Sequence, residues 1–241
     1  MNQELLQIYY TADVKVQKVG FTDLQLGSTT REMPVAFFTR TQATDIISAA
    51  KEPFKTLFSI AWCTGMRTGE LLALTVHDLD FANKTIRVNK SSDDRTREIR
   101  QHKTKASVTL LPMPSALETV LRDFMLHWTP NAVGILFATR DGSHPRSRAN
   151  VVRIGLKPVL RKLDISANAG LHAFRHGLAT ELAEASVPIP VLQQQLRHAD
   201  VKTTLKVYAH VIPQTQRDAM ENIGGVQSLR SINTLRKVAA E

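Results

Sequence analysis

The side chains of this chain that are best suited to chemistry are two arginines, two histidines and a tyrosine: Arg67, His172, Arg175, His198 and Tyr208. Arginine presents a planar fork of donors that fits two phosphate oxygens at once. Histidine can hold, accept or donate a proton near neutral pH, and a phenol oxygen can serve as a covalent nucleophile. Together these groups form the set that is needed to break a phosphodiester with a tyrosine nucleophile and without a metal ion.

The overall composition is that of a globular protein with an unusual charge. The 241 residues are 43% hydrophobic and 22% charged, which is enough to bury a sizeable core. The 31 Lys and Arg against 22 Asp and Glu give a formal net charge of +9. Such a charge suits a polyanionic partner, most often nucleic acid, and a merely soluble basic protein is the alternative.

Other features exclude several classes of protein. The single cysteine, Cys63, rules out an internal disulfide framework, and its place after the apolar run at 57–62 predicts a packing role. The N-terminus has no basic stretch followed by an apolar core, and no run approaches about 18 apolar residues, so we expect neither a secretory signal nor a membrane span. The sequence therefore predicts a cytoplasmic protein, encoded by a bacterium or a phage and associated with the nucleoid.

The elements that must position the five side chains are mostly helices. Periodic apolar residues and capping residues predict helices, and β-branched runs between charged segments predict short strands. The expected fold class is α+β, mostly helical with a small antiparallel sheet. Helices are expected near 39–51, 53–64, 68–74, 114–128, 148–163, 172–186 and 189–196, and strands near 85–88, 108–111 and 135–137.

Local signals define several of these boundaries. Thr39 and Gln42 have the spacing of a capping box at the start of the first helix. Gly65 is expected to end the second helix, and Thr68 is expected to cap the third. The charged segment 90–107 is expected to form a long, mobile hairpin loop.

The first chemical cluster places Arg67 in a tight turn directly before a helix N-terminus. The free amides of a first helical turn favour an anion, so this is a suitable place to bind phosphate. Glu70, one turn later, can orient a catalytic arginine or histidine. For an isolated arginine, a surface side chain capped by a nearby glutamate is the alternative.

The second cluster carries His172 and Arg175 on one helix, where both can face a single phosphate. They stand beside an apolar stripe of Phe174, Leu178 and Leu182, which is expected to be buried. A histidine at the edge of the core and a salt-bridged arginine would also fit this pattern.

The third cluster places Tyr208 ten residues after His198, across a basic turn. Lys202, Thr203 and Thr204 in that turn suit contacts with a DNA backbone, and they would equally suit a solvated turn. A lone tyrosine usually serves packing, so the spacing to the histidine is what singles this one out.

These clusters resemble the motifs of the tyrosine recombinases, also called phage integrases. The likeness covers roughly residues 36–223 and rests on TGMRTGELLAL at 64–74, HAFRH at 172–176 and LRHADVKTTLKVY at 196–208, in the order of the family. The type IB topoisomerases are similar in chemistry, but the motif wording is that of integrases. The resemblance implies a catalytic domain with the DNA breaking and rejoining fold.

The resemblance also implies a role for each candidate. Tyr208 would attack the scissile phosphorus, form a 3′-phosphotyrosyl link and release a 5′-hydroxyl, while Arg67 and Arg175 would clamp the nonbridging oxygens. His172 would act as a general base toward the tyrosine, and His198 would hydrogen-bond the phosphate. Because the phosphotyrosine keeps the bond energy, rejoining would need no ATP, no metal ion and no other cofactor.

Further residues follow from the same resemblance. Glu70 would support the site as the acidic residue of the family. A loop lysine would protonate the leaving 5′ oxygen, and Lys103 is preferred over Lys105 because Lys-Thr at this distance before the Leu-Pro at 111–112 matches the family pattern. The residues expected to contact DNA are Lys105, Arg197, Lys202, Thr203 and Thr204.

Two features depart from the pattern of the family. Arg197 stands where family members usually carry glycine, which adds charge to the turn before His198. The segment before the catalytic part is much shorter than the N-terminal helical domain of a typical integrase, so DNA binding is expected to be weak and salt-sensitive. We therefore expect a linker or remnant of the N-terminal DNA-binding domain at 1–35, a catalytic domain at 36–225 and a C-terminal tail at 226–241.

The tail carries Leu229, Ile232, Leu235 and Val238 at three-residue steps, which predicts an amphipathic helix. It is expected either to dock on a neighbouring protomer, as in the family, or to pack on its own chain or stay unstructured. The expected assembly is a homotetramer on double-stranded DNA and a monomer or dimer when free, with DNA-bending accessory proteins as further partners.

The sequence as a whole predicts a site-specific DNA recombinase of the integrase type. A catalytically weak or inactive DNA-binding remnant of an integrase is the alternative. An ordinary helix-turn-helix regulator would explain the charge and the helices, but not the five chemical residues together. Formation of a covalent link to DNA separates the first interpretation from the other two.

Overall fold

The computed structural model of the chain describes residues 36–102, 108–166, 168–198, 200–205 and 207. The predicted N-terminal linker and C-terminal tail therefore lie outside the described residues. The same is true of three candidate site residues, Lys103, Lys105 and Tyr208.

The described residues fold into helices and two small antiparallel sheets, so the predicted α+β class is confirmed. The helices are α1 (Arg40–Ala49), α2 (Phe54–Thr64), α3 (Thr68–Leu72), α4 (Ser115–His127), α5 (Arg148–Asn150), α6 (Lys157–Lys162), α7 (His172–Glu184) and α8 (Ile189–Leu196), and residues 201–205 are also helical. The strands are β1 (Leu79–Asp80), β2 (Thr85–Val88), β3 (Lys90–Ser92), β4 (Ile99–Gln101) and β5 (Thr109–Pro112).

The first two helices begin and end where the sequence predicts. The Gln42 N–H donates to the Thr39 hydroxyl at 3.3 Å and the Gln42 side chain accepts from the Thr39 N–H at 3.1 Å, so the capping box is confirmed. Helix α2 ends at Gly65, whose φ of 62° lies in the left-handed region that glycine adopts readily. A side chain at Gly65 would lie 2.9 Å from Leu196, so this turn packs directly against the end of α8.

Strands β1, β2 and β5 form a three-stranded antiparallel sheet in that order, with Ile86 opposite both Leu79 and Leu111. Ile86 and Leu111 are buried, whereas Arg87 and Leu110 are exposed on the other face. Alternate residues therefore point to the core, as the pleat of a strand requires. The strand predicted at 108–111 is present one residue later, as β5.

The charged segment 90–107, predicted as a long hairpin loop, does form a hairpin in its described part, but with two short strands that the sequence does not predict. Strands β3 and β4 pair antiparallel and form a hairpin there. The Asp93 carboxylate accepts from the backbone N–H groups of Arg95 at 2.9 Å and Thr96 at 3.0 Å, and Arg97 takes a left-handed φ of 60°. Because polar turn contacts and backbone pairing hold this hairpin, it lacks the apolar alternation that identifies a strand in a sequence.

The structure has no strand at 135–137, where the sequence predicts one. Within the described residues, Ile135 makes an isolated bridge with Thr75 and belongs to no ladder. The Asn131 side chain accepts from the Ile135 N–H at 2.9 Å and donates to the Ile135 carbonyl oxygen at 2.8 Å. A side chain that takes both backbone bonds replaces the neighbouring strand, so the apolar run is buried without forming one.

The helix predicted over 148–163 is present from Arg148 to Lys162, but its middle is π-helical. Helices α5 and α6 are joined by a π-helical segment at Val151–Leu156. Gly155 in this segment faces the ring of Phe54, and a side chain there would lie 2.5 Å from the ring. The glycine therefore allows this helix to approach α2 closely, which sequence periodicity does not reveal.

Aromatic rings join three segments at the centre of the main core. Phe174 of α7 packs edge-on against Phe38, with ring centroids 4.8 Å apart, and stacks on Phe58 of α2 at 5.2 Å. One turn after Phe174, a side chain at Gly177 would overlap the Phe38 carbonyl oxygen. Close packing along this face of α7 fixes the position of the residues at its N-terminal end relative to α2.

The buried stripe predicted on α7 is narrower than expected. Phe174 is fully buried, but Leu178 and Leu182 are half-buried and pack against a second, smaller cluster formed with α8. Cys63 is half-buried against the main core, and burial raises the pKa of its thiol, which agrees with the predicted packing role. None of the helices in the described part is long and apolar enough to cross a membrane.

Candidate active site

The turn between α2 and α3 positions Arg67. This residue precedes α3 with an extended backbone, and its N–H donates to a Glu70 carboxylate oxygen at 2.8 Å. Thr68, the predicted cap, is instead the first residue of the helix, and Arg67 is the cap. The Glu70 carboxylate takes the capping role, because it accepts from the backbone N–H of Arg67. The sequence Arg-Thr-Gly-Glu thus forms a rigid start to α3 with the arginine at its tip.

Glu70 is buried, with 4% exposure, and holds two arginines. Its Oε1 accepts from Arg67 Nη1 at 3.0 Å and its Oε2 accepts from Arg197 Nη2 at 2.6 Å. Burial alone would raise the pKa of this carboxyl, but the nearby Arg197 and Arg67 lower the pKa overall, so Glu70 is charged at neutral pH. One carboxylate between two guanidiniums leaves the group with a net positive charge.

Arg175 is the second predicted arginine of the site, and it is buried with 6% exposure. Its Nη1 donates to the Gly65 carbonyl oxygen and its Nη2 donates to the Leu196 carbonyl oxygen. This guanidinium therefore joins the ends of α2 and α8. Burial, together with Arg67 and Arg197, lowers its pKa to about 10, so it is still charged at pH 7.

Arg67 reaches the same turn from the other side. Its Nη2 donates to the Arg197 carbonyl oxygen at 2.6 Å. Its side chain nevertheless stays 44% exposed, so an anion from solvent can approach it. The two predicted arginines thus bind adjacent carbonyl groups of the turn that leads to His198, and a phosphate at this point would meet a positive surface.

His172 lies at the start of α7, and its Nδ1 is 3.0 Å from the Thr68 hydroxyl. Burial, followed by the charges of Arg148, Arg175 and Arg67, lowers the pKa of the ring. The imidazole is therefore neutral at pH 7 and able to accept a proton.

His198 follows α8 and is held by its backbone and by its ring. Its N–H donates to the Gln193 carbonyl oxygen at 3.1 Å, and Gln193 Nε2 donates to the His198 carbonyl oxygen at 3.1 Å. The ring Nδ1 lies 3.0 Å from the hydroxyl of Thr204. Burial, then the charges of Arg175 and Arg67, lowers the pKa of His198 to about 4. In the tautomer whose Nδ1 accepts from Thr204, the ring carries its proton on Nε2, where it can donate to an anion.

The chain matches the profile of the phage integrase family over residues 36–215, which is most of its length. It belongs to the phage integrase family. It is 29% identical over 192 residues to a tyrosine recombinase XerC-like protein of Caldanaerobacter subterraneus subsp. tengcongensis, across 70% of this chain and 48% of that protein. It is 31% identical over 179 residues to the integrase of Staphylococcus phage L54a, across 66% and 48%. The chain thus spans about half the length of these relatives.

Solved structures of integrases and recombinases share the fold. The Tn1549 transposon integrase in complex with transposon right end DNA superposes with a TM-score of 0.70 at 23% identity, covering 82% of this chain and 69% of that one. The XerA recombinase superposes with a TM-score of 0.62 at 20% identity, covering 81% and 66%. The DNA breaking and rejoining fold implied by the sequence motifs is therefore confirmed for the described residues.

The predicted DNA-contact residues that the structure describes fall into two groups. Lys202 and Thr203 are exposed and free to meet a DNA backbone. Thr204 is fully buried on the ring of His198, and the Arg197 side chain is only 10% exposed and paired with Glu70. Both side chains turn inward to neighbouring site residues, and their direct contact with DNA stays a prediction.

Two residues beside the integrase site were not singled out from the sequence. Arg148, at the start of α5, lies close enough to His172 to lower its pKa and lines a recess of about 170 Å³ with it. His176 lies one turn after His172, with the ring centroids 6.4 Å apart. The alternation of basic and apolar residues after 148 was visible, but nothing in a linear pattern shows that its first arginine reaches α7.

The described residues contain no group of three or more His, Cys, Asp or Glu side chains arranged to hold a metal ion. The charges that face the candidate site are instead those of Arg67, Arg175, Arg197 and Arg148, balanced in part by Glu70. This arrangement of fixed cations is suited to holding a phosphate diester.

Proposed function

We propose that this chain is the catalytic part of a site-specific DNA recombinase that cleaves and rejoins DNA through a 3′-phosphotyrosyl intermediate. The observation that carries the proposal is the meeting of Arg67, Arg175 and His198, from three distant segments, at one turn of the fold. Membership of the phage integrase family supports it. The alternative of an inactive remnant is not favoured, because the chain matches the family over residues 36–215 and carries the motif residues of the family in order.

The cleavage step follows from these groups. The Tyr208 oxygen bonds to the scissile phosphorus and its proton passes to His172, while the bond to the 5′ oxygen breaks and that oxygen takes a proton from Lys103. Arg67 and Arg175 neutralise the charge that builds on the nonbridging oxygens, and the neutral His198 donates from Nε2. In the reverse step, a 5′-hydroxyl attacks the phosphotyrosine, so rejoining needs no ATP, metal ion or other cofactor.

We propose the catalytic domain to be residues 36–225, with the segments 1–35 and 226–241 as linker and tail. Double-stranded DNA is the proposed substrate, which places the protein at the nucleoid. The Tn1549 integrase structure contains DNA, which supports this choice. A homotetramer on DNA, joined through the tail, and DNA-bending accessory proteins complete the proposed assembly.

The test is covalent capture on a nicked suicide duplex, with the binding site selected from random-sequence duplexes by this chain. We expect a protein–DNA adduct on a denaturing gel, with the phosphate mapped to Tyr208 by mass spectrometry. The chain has three tyrosines, so Tyr10→Phe is a matched control that should form the adduct while Tyr208→Phe does not. An adduct that persists in Tyr208→Phe would contradict the assigned nucleophile, and no adduct with the wild type on a bound duplex would favour the remnant.

A further inference from the structure

Arg197 occupies a backbone conformation that does not suit an arginine. Its φ of 54° and ψ of 45° lie in the left-handed region, where a side chain with a Cβ is strained and glycine is favoured. Such strain persists only where the surrounding contacts hold the residue in place. The contacts made by the Arg197 side chain therefore show what stabilises this turn.

The Arg197 guanidinium is bound almost entirely inside the protein. Its Nη2 donates to Glu70 at 2.6 Å, its Nη1 donates to the Gln195 carbonyl oxygen at 3.1 Å, and its Nε is buried without a hydrogen-bond partner. With 10% of the side chain exposed, it is not placed to grip a DNA backbone directly. Its principal bond is to the carboxylate that also holds Arg67.

The same turn is tied to the rest of the site by its backbone. The Leu196 and Arg197 carbonyl oxygens accept from Arg175 and Arg67, respectively, and Gln195 Nε2 donates to the Thr64 carbonyl oxygen at 3.2 Å. The next residue is His198. A glycine at position 197 would keep the backbone bonds and relieve the strain, but it would lose the side-chain bond from Arg197 to Glu70.

We propose that Arg197 is a positioning residue for strand cleavage: its guanidinium locks the turn that carries His198 onto Glu70, the carboxylate that orients Arg67. This inference rests on the proposed recombinase function. The Arg197 side chain, rather than the backbone alone, thereby sets the distance between Arg67 and His198. It also adds a buried positive charge beside the predicted phosphate position.

The test compares Arg197→Gly, Arg197→Met and Arg197→Lys in suicide-substrate cleavage, at saturating DNA and as a function of DNA concentration. The glycine and methionine variants are expected to cleave about 10-fold to 100-fold more slowly at saturating DNA, because small displacements of catalytic groups are costly. The DNA concentration that gives half of the maximal rate should change little. Lysine should restore part of the rate, because its ammonium can still pair with Glu70. Methionine fills similar volume without a donor, so it separates the ion pair from packing.

Lys84→Gly is the matched control, because Lys84 is also a basic residue at positive φ, 51°, and also pairs with a glutamate, Glu118 at 3.1 Å. It should cleave like the wild type. Thermal unfolding of each variant checks that it is folded. A folded Arg197→Gly variant with the wild-type rate would overturn the inference. A rise in the half-saturating DNA concentration with an unchanged maximal rate would also overturn it, because Arg197 would then be a DNA contact.

A second measurement needs no cleavage. The NMR titration of the His198 ring in the free protein reports its surroundings, which include Arg175, Arg67, His176 and Arg197. In Arg197→Gly we expect the pKa of His198 to rise from about 4, because the turn loosens and a positive charge is removed. If the wild type forms no adduct but this shift occurs, the recombinase proposal fails, while the link by which Arg197 holds the turn of His198 stands. An unchanged titration would contradict the role itself.

Discussion

Glu70 orients two arginines of the candidate site. It satisfies the backbone N–H of Arg67, pairs with the guanidinium of the same residue and pairs with Arg197. A carboxylate that is buried in this way is stable only because both partners compensate the lost hydration. Removing it would leave two guanidiniums facing each other beside a third, that of Arg175.

Glu70→Gln should lower the free energy of unfolding by about 3 kcal/mol or more, because it leaves buried positive charge without its partner. Urea unfolding at pH 7 measures this. The matched control is Glu181→Gln, whose pair with Arg40 at 2.7 Å is on the surface, with Arg40 73% exposed. That change should cost about 1 kcal/mol or less. Equal losses for the two variants would show that the Glu70 network contributes no more than a surface pair.

The lowered pKa of His198 predicts how the free energy of unfolding depends on pH. Its pKa in the folded chain is about 4, below the ordinary value of 6.5, so between these values the unfolded chain binds a proton that the folded chain does not. Stability therefore rises with pH in this window and falls as the pH drops from 7 toward 4. We expect urea midpoints measured at pH 7 and pH 5 to differ less in His198→Asn than in the wild type. The same difference in both would contradict the shifted pKa.

At the level of elements, close approach of helix α7 to its neighbours brings His172 and Arg175 to the site. Phe174 packs between Phe38 and Phe58, and Gly177 lies against the Phe38 carbonyl. Helix propensity alone disfavours glycine inside a helix, so its presence here indicates a steric requirement. The short helix α8 then brings its C-terminal turn against the end of α2.

Gly177→Ala should destabilise the fold by about 1–3 kcal/mol, although alanine favours helices, because the added methyl overlaps the Phe38 carbonyl oxygen. Thermal or urea unfolding measures the loss. Gly170→Ala is the matched control, since a side chain at Gly170 would meet nothing within 4 Å. Unchanged stability of Gly177→Ala would show that α7 can shift away from the Phe38 segment at no cost.

On the scale of the whole molecule, part of the net charge of +9 comes from basic side chains next to the candidate site. Arg148, Arg153 and Lys157 line an open recess of about 650 Å³ beside α5 and α6. Arg148 belongs to this recess and also to the smaller one that contains His172. A duplex whose scissile phosphate lies in the site would therefore pass basic side chains on this side.

Arg153→Gln should weaken binding of a fluorescent duplex and reduce the slope of log K against log salt by about 1, because one phosphate contact is lost. Fluorescence anisotropy over a salt series measures the slope. Arg122→Gln is the control, because that arginine lies on α4, away from the recess, where it pairs with Glu118 at 2.8 Å and lies over the ring of Phe81. An equal change of slope in both variants would mean that general charge, not the recess, determines binding.

The amino-acid sequence by itself determined the chemical groups, their order and most helix boundaries. Capping residues, glycine and apolar periodicity act over a few positions, so signals such as Thr39, Gln42 and Gly65 can be read locally. Patterns at that range missed the two strands of the predicted hairpin and gave the wrong answer for 135–137, where a single asparagine side chain replaces the neighbouring strand. The roles of Tyr208 and Lys103 still rest on sequence motifs.

Only the tertiary structure decided which side chains support the site from inside. Arg197 and Thr204 read as surface residues in a basic turn, yet one pairs with Glu70 and the other with His198. Burial, hydrogen-bond geometry and the pKa values of the histidines depend on groups that are more than a hundred residues apart in the chain. Such contacts arise from packing between α2, α7 and α8, and no local pattern encodes their distances.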